Sequence, residues 1–442
     1  MDIIPKHTLP VCEGTTVDRM TDEDVAGVMS TKKRRILAGI SANVLVLGIV
    51  SFLTDMSSEM IYPIMPYFLV AIGSSALLIG LIEGAAETTA SLLKVFSGWY
   101  SDRYRKRKPF ILSGYSLSAL AKPLFYLAIS PWHVLGVRIT ERVGKGIRSA
   151  PRDALIADST EEGMRGKAFG LHKALDSAGA VVGPLLVLPV LLAAATVTED
   201  TYRLVFLLST IPALAAVVVI VLFVKDIEAK ATGARIGHFF KEIRALDKSF
   251  WRLMAIVVTF YIGEINVAFL ILKASEAGIE SATTIILYVT FNIVFFLIAM
   301  PAGSLSDRLG RRPIIAASFT LLAITCMVMA VADTLYLLLL GFVIYGASKG
   351  TSEGVLKAYV TDFVPLHARG TALGAFHTGV GLVMLPGSVI AGLLWVSVGP
   401  WATFVYGVVM SLAALTLLAA LGQEKSGMFR KDEHAQGPSQ TS

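Results

Sequence analysis

Charge and cysteine are what this chain has least of. Only 16% of its 442 residues are Asp, Glu, Lys or Arg, against about 25% in ordinary soluble domains, and its mean hydropathy is +0.68. That balance belongs to a membrane protein. The two cysteines, Cys12 and Cys326, form no paired framework and no ligand spacing, so disulfide and zinc readings find no support. No apolar core follows a basic start before Ile36, so a cleaved leader is not expected. The net charge of +6 gathers beside apolar segments, where it orients a membrane chain rather than binding nucleic acid.

Catalytic signatures are missing as well. The "GKG" at Gly144–Gly146 is no phosphate loop: Gly136 stands too far ahead of it, Gly146 occupies the required Ser/Thr position, and no strand-to-helix turn surrounds it. There is no metal-ligand cluster, no nucleophile paired with a base and no catalytic loop. An ATP-driven pump is unsupported. An enzyme acting on lipid remains only as a distant alternative, beside a transporter-like sensor, and no cofactor or metal ion is expected.

What is present is a series of apolar segments of about 20 residues, each long enough to cross a bilayer as a helix. Twelve are expected, at 38–70, 75–100, 109–129, 132–158, 166–194, 203–224, 250–273, 281–304, 313–332, 334–362, 369–395 and 399–421. Lys and Arg gather in alternate connections: "KKRR" (Lys32 to Arg35), "RYRKRK" (Arg103 to Lys108), Arg165 and Lys167, residues 225–249, "RLGRR" (Arg308 to Arg312), Arg369 and the tail from Lys425 to Lys431. Positive residues stay on the cytoplasmic side, so both termini are expected there, in a plasma or inner membrane. The chain then divides into a tail (1–37), six helices (38–224), a linker (225–249), six more helices (250–421) and a second tail (422–442). In the linker, Phe239, Phe240, Ile243 and Leu246 share one helical side, which suits a helix lying either at the membrane interface or on the protein.

Self-comparison finds a repeat at an offset of about 204 residues. "GWYSDR" (Gly98 to Arg103) matches "GSLSDR" (Gly303 to Arg308), Lys145-Gly146 matches Lys349-Gly350, Asp158 matches Asp362, Arg165-Gly166 matches Arg369-Gly370, and Glu59 falls on Glu264. Such parallel halves are a transporter architecture. On these residues the chain resembles the major facilitator superfamily. The family's signature, Gly-x-x-x-Asp-Arg-x-Gly-Arg-Arg/Lys, is met throughout by Gly303, Asp307, Arg308, Gly310, Arg311 and Arg312; the first copy keeps Gly98, Asp102 and Arg103 but has Arg105 and Lys106 where Gly and Arg are expected. Gly170, Gly179, Gly183 and Pro184 match the family's fifth-helix motif, with Val187 replacing its last glycine. The resemblance implies an all-α fold of twelve transmembrane helices in two six-helix repeats, and a proton-coupled secondary transporter leaning to efflux. It also implies that Asp102, Arg103, Asp307 and Arg308 stabilise one closed state. An uptake permease for an organic anion is the alternative.

Charges inside the spans mark the site. Taking Arg138 as zero, Arg142, Lys145, Arg148 and Arg152 fall at about 40°, −20°, −80° and −40° around a helix, with Glu141 and Asp153 on the same arc. Such a stripe is too costly to face lipid, at roughly 2.5 to 3.5 kcal/mol per central cation. The other spans add Asp55, Glu59, Glu83, Glu87, Lys94, Lys122, His172, Lys173, Asp176, Glu264, Lys349, Glu353, Lys357 and His377. With the histidines left out, ten groups are basic and nine acidic, and half or more are expected in fixed ion pairs. The arginine excess on the fourth span leans toward an anionic group on a small polar solute. Asp55, Glu59 and Glu264 are the expected proton carriers. "RVGKG" (Arg142 to Gly146) resembles the fourth-helix motif Arg-x-x-Gln-Gly of proton-coupled exporters, with Lys145 replacing the glutamine. His172 and His377 are either relays or packing residues. One chain is expected to work as a monomer.

Overall fold

The first span is interrupted, and the interruption is written in its prolines. In the computed structural model, which describes residues 41–104, 106–161, 164–226, 243, 246–365 and 368–420, helix α1 (Ala42–Ile61) passes through a 3-10 turn at Tyr62–Ile64 into α2 (Met65–Ala71). Pro63 and Pro66 sit in the first turns of those short pieces. A proline removes the N–H and crowds the carbonyl four residues back, so an unbroken α-helix does not pass through such a pair unstrained. The seventh span breaks at the corresponding place. Helix α8 (Lys248–Ile262) stops at Gly263, and Asn266 caps α9 (Val267–Glu276) by accepting from the Ala268 amide at 2.9 Å.

The remaining helices are α3 (Ala76–Tyr104), α4 (Lys108–Ala121, extended by a 3-10 turn at Lys122–Phe125), α5 (Pro131–Asp158), α6 (Arg165–Ala193) and α7 (Glu199–Phe223). The second half continues with α10 (Ser281–Leu309), α11 (Arg311–Ala330), α12 (Leu335–Asp362), α13 (Arg369–Ser397) and α14 (Pro400–Ala420). Among the described residues, ten spans are long and apolar enough by themselves to cross a membrane. The other two of the twelve are the short α4 with its 3-10 extension and the highly charged α5. Span six starts at Glu199 rather than at the expected 203, because Glu199 and Asp200 fill its first turn, where they favour the helix dipole. The two terminal tails and the linker's expected helix lie outside the described residues, apart from Ile243 and Leu246.

Packing repeats with the sequence. In the first half α1 packs on α6 and α7, α3 on α5, α4 on α5, and α4 on α7; in the second half α8 packs on α13 and α14, α10 on α12, α11 on α12, and α11 on α14. The halves meet chiefly along α3 with α13 and α6 with α10. A Cβ on Gly84 would lie 2.9 Å from the Leu385 Cα, one on Gly381 would lie 2.5 Å from the Ser91 Cβ, and one on Gly80 would strike the Ser388 carbonyl. These glycines bring two backbones together between Ala76 and Ser91, as small residues do in membranes.

That contact ends before the α3–α4 and α10–α11 connections. Gly98 nears only Ala150 of its own half, and Gly166, Gly170, Gly303 and Gly370 have nothing within 4 Å. One buried apolar cluster runs across both halves, including Phe68, Phe206, Phe260 and Phe269. A second, with Val44, Leu47, Ile111, Leu155 and Ile220, is confined to the first half. The molecule is therefore closed between its halves at one end and parted at the end that carries the two signature connections.

Candidate functional site in the central cavity

Between the halves lies a cavity of about 320 Å³. Its wall includes Glu59 and Tyr62 from span one, Glu83 and Glu87 from α3, Arg142 and Lys145 from α5, Tyr261, Glu264 and Asn266 from span seven, Tyr288 and Phe291 from α10, and Tyr345, Lys349 and Glu353 from α12. Exposure rises along it: the side chain of Glu264 is 4% exposed, Lys349 26% and Glu353 46%. The cavity thus opens toward the parted end.

The α5 stripe is held from two sides. Gly144 lets α5 approach Ser118 of α4, and Gly146 lets it approach Leu93 of α3. Arg138 then donates to both oxygens of Glu83 at 3.2 Å and to Glu141 at 2.9 Å, and Arg142 pairs with Glu87 at 3.1 Å. The match is geometric: two arginines four residues apart on α5 face two glutamates four residues apart on α3, one helical turn on each. Arg148 turns away to Ser118 at 2.8 Å and to the Tyr115 ring at 4.2 Å, and Arg152 pairs with Asp153 at 2.8 Å. The cation excess that suggested an anionic solute is consumed by partners, and Lys145 alone of the stripe's five cations stands exposed without an ion pair among the described residues.

Most of the other intramembrane charges are paired as well: Lys349 with Glu264 at 2.6 Å, Lys357 with Glu353 at 3.1 Å, and Lys173 with Asp176 at 2.8 Å. Asp176 also accepts from Ser51 at 2.7 Å and lies in hydrogen-bonding reach of Asp55, between α1 and α6 rather than on the cavity wall. Glu59 accepts from the Tyr288 hydroxyl at 2.5 Å, a bond from one half to the other. Lys122 is buried and donates to Ser57 and to Ser58, which in turn donates to Glu141. His172 is buried with its Nε2 unpartnered among the described residues, and the His377 ring packs on Phe376. Asp55, Glu59, Lys94, Lys122, Lys145 and Arg148 are the groups outside ion pairs among the described residues. Breaking one of the buried pairs by removing a single partner costs about 3 to 5 kcal/mol.

An aromatic wall was not anticipated. Tyr62, Tyr288, Phe291 and Tyr345 follow one another with ring centroids 5.8, 5.6 and 5.3 Å apart. The closed end is crossed by Tyr62 donating to Asn266 at 2.9 Å and Tyr67 donating to the Ile279 carbonyl at 2.8 Å. Tyrosines recurring in mid-span positions were the available signal, which a search for charges passes over.

The signature connections carry a further surprise. Arg311 donates to Ser306 at 2.6 Å and pairs with Asp307 at 2.6 Å and Asp362 at 3.3 Å, while Arg312 donates to the Leu418 carbonyl at 2.6 Å. In the first half Arg107 donates to Ser101 at 2.7 Å and pairs with Asp158 at 3.5 Å, while Lys108 donates to the Val224 carbonyl at 2.7 Å. Arg107, not Lys106, therefore occupies the place of Arg311, and the first connection is one residue longer than an ungapped match suggests. Arg103 lies over the Trp99 ring at 5.4 Å, and neither it nor Arg308 makes an ion pair among the described residues. The Asp102 side chain and Arg105 are outside the described residues. Gly310 has φ 92°, the left-handed turn for which glycine is suited. In the fifth-helix motif, a Cβ on Gly179 would lie 2.5 Å from the Phe52 carbonyl and one on Gly183 would strike that of Met56, whereas Gly170 touches nothing within 4 Å. The motif's middle packs α6 on α1 and its first glycine faces open space.

Comparison with known proteins agrees with this architecture. Residues 47–272 and 253–440 match the model of the Major Facilitator Superfamily. An uncharacterized MFS-type transporter of Methanocaldococcus jannaschii is 36% identical over 388 residues, covering 86% of this chain and 94% of that protein. A multidrug resistance protein of Photorhabdus laumondii is 34% identical over 120 residues, 27% of this chain and 30% of its own. Among solved structures, a mutant of the nucleoside transporter NupG superposes with a TM-score of 0.73 at 13% identity, covering 86% of this chain and 100% of that one.

Proposed function

Because this chain belongs to the Major Facilitator Superfamily, whose members are integral multi-pass transporters rather than enzymes, we propose that it moves a small polar solute by alternating access, coupled to protons and leaning to export. The two halves, 38–224 and 250–421 joined by 225–249, rock about the cavity, and a single chain supplies every wall of it. The basic connections lie in the cytoplasm by the positive-inside rule, so the parted end faces inward.

The observation that carries the coupling is the Glu59–Tyr288 bond. Glu59 is a cavity carboxylate in no ion pair among the described residues, lies in the field of Lys145, Arg142 and Arg138, and its hydrogen bond joins α1 to α10. Binding or losing a proton there changes a contact between the halves, which is what coupling requires. Asp55, beside Asp176, is the second protonatable site on the path. Export is supported by the partial fifth-helix motif and by the local similarity to a multidrug resistance protein.

The test is flux in proteoliposomes under an imposed proton gradient, with solutes chosen by comparing metabolites and toxins accumulated in cells with and without the gene. Glu59→Gln should lose gradient-driven flux while the folded protein remains in the membrane. Full gradient-driven flux in that variant would remove Glu59 from the coupling, and accumulation that falls rather than rises when the gradient is dissipated would establish uptake.

A further inference from the structure

Two groups of opposite sign in the cavity are left without a full set of partners. On one side are the carboxylates Glu59 and Glu264. Glu59 gives one oxygen to Tyr288 and leaves Oε1 without a hydrogen bond among the described residues. Glu264, 4% exposed, gives Oε1 to Lys349 at 2.6 Å, and its Oε2 is buried with no hydrogen-bond partner. A buried carboxylate oxygen without a donor is a costly thing to keep. On the other side is Lys145 on α5, exposed on the same wall, its ammonium in no ion pair or hydrogen bond among the described residues.

The other carboxylates of the wall are in ion pairs. Glu83 is taken by Arg138, Glu87 by Arg142 and Glu353 by Lys357. A cavity whose other carboxylates are paired, leaving open acceptor oxygens on Glu59 and Glu264 and an unpaired ammonium among the described residues, is complementary to a solute carrying one charge of each sign. A purely anionic solute would meet the carboxylates with no compensation, and a purely cationic one would be repelled by Lys145. The volume of about 320 Å³ stands at the lower end of ligand pockets, roughly 300 to 1,000 Å³, and suits something of amino-acid size. The wall of Tyr62, Tyr288, Phe291 and Tyr345 offers ring faces to its apolar part.

We propose that the cavity binds a small zwitterion, its ammonium held by Glu59 and Glu264 and its anionic group by Lys145. This rests on the transporter reading above, and it adds a substrate class. It also places proton and solute in competition for Glu59, which is the condition for exchanging one against the other.

Binding to the purified full chain in detergent, read as a thermal shift with no proton gradient, separates this inference from the transport reading. The probes are the twenty protein amino acids, each with its decarboxylated amine and its deaminated acid. At least one zwitterion should stabilise the protein at a concentration tenfold or more below that needed by its matched amine or acid. Lys145→Gln should erase that preference, so that the amine binds as well as the zwitterion; Lys145→Arg should restore it. Because the Lys145 side chain is exposed and its ammonium is in no ion pair or hydrogen bond among the described residues, both variants should melt as the parent does. Equal binding by amine or acid, or no binding by any probe, would overturn the zwitterion. Tight zwitterion binding without gradient-driven flux would instead leave the site standing and overturn the coupling.

Discussion

Tyr62 and Asn266 stand 204 residues apart, at corresponding positions of the two halves, and bond to each other at 2.9 Å. The internal repeat thus meets itself at the closed end, where both the first and the seventh spans interrupt their helices. An interrupted helix offers side chains and backbone that rearrange without unwinding a whole span, so this contact is placed to break when the closed end opens.

Removing its hydroxyl should therefore favour opening. Tyr62→Phe deletes a single hydrogen bond, with a net value of about 0.5 to 1.5 kcal/mol, a shift of roughly two- to tenfold in the closed-to-open ratio. Distance measurements between spin labels on α2 and α9 would report it. Unchanged populations would deny the bond a role in closure.

The Glu264–Lys349 pair, at 2.6 Å and deep in the cavity, should show the asymmetry of buried ion pairs. Lys349→Met alone should destabilise by about 3 to 5 kcal/mol, because it leaves a buried carboxylate unpaired. Adding Glu264→Gln should recover most of that loss. Denaturation of both variants and of the Glu264→Gln single variant closes the cycle, and additive losses would contradict direct coupling.

The one-residue shift in the first signature connection has its own test. Arg107→Ala should cost about 1 to 3 kcal/mol, since it strips Ser101 of its donor and Asp158 of its ion-pair partner. Lys106→Ala, on an exposed residue, should stay within about 0.5 kcal/mol. Thermal melting of the two variants side by side decides it, and the reverse order would restore the ungapped match.

The α3–α13 seam predicts a third contrast. Gly84→Val should disturb the fold, because a Cβ there would already lie 2.9 Å from Leu385. Gly303→Val, where nothing lies within 4 Å, should melt normally yet slow transport, provided the opposite state closes on that position. Melting and flux should dissociate for Gly303 and fall together for Gly84.

Spans, repeat and family could be read from residue order alone because each depends on local composition or on a fixed offset: an apolar stretch must cross as a helix, and "GSLSDRLGRR" keeps its spacing wherever the chain goes. The stripe on α5 was legible too, since helical angles follow from position. Which of its charges were free was not. Arg138 and Arg142 look like anion ligands until α3 brings Glu83 and Glu87 alongside them, and Glu264 looks unaccompanied until α12 supplies Lys349. Pairing energies depend on distances of a few ångströms between helices far apart in sequence, and no periodicity encodes those. The same holds for Arg107, whose role depends on a loop one residue longer than its twin, and for the tyrosine wall, which exists only where α1, α10 and α12 converge. Residue order by itself determined that the chain crosses a membrane twelve times in two related halves with charge at its centre. Tertiary packing decided which charges pair, which stay outside ion pairs among the described residues, and which end stands open, because those depend on how the helices fit against one another.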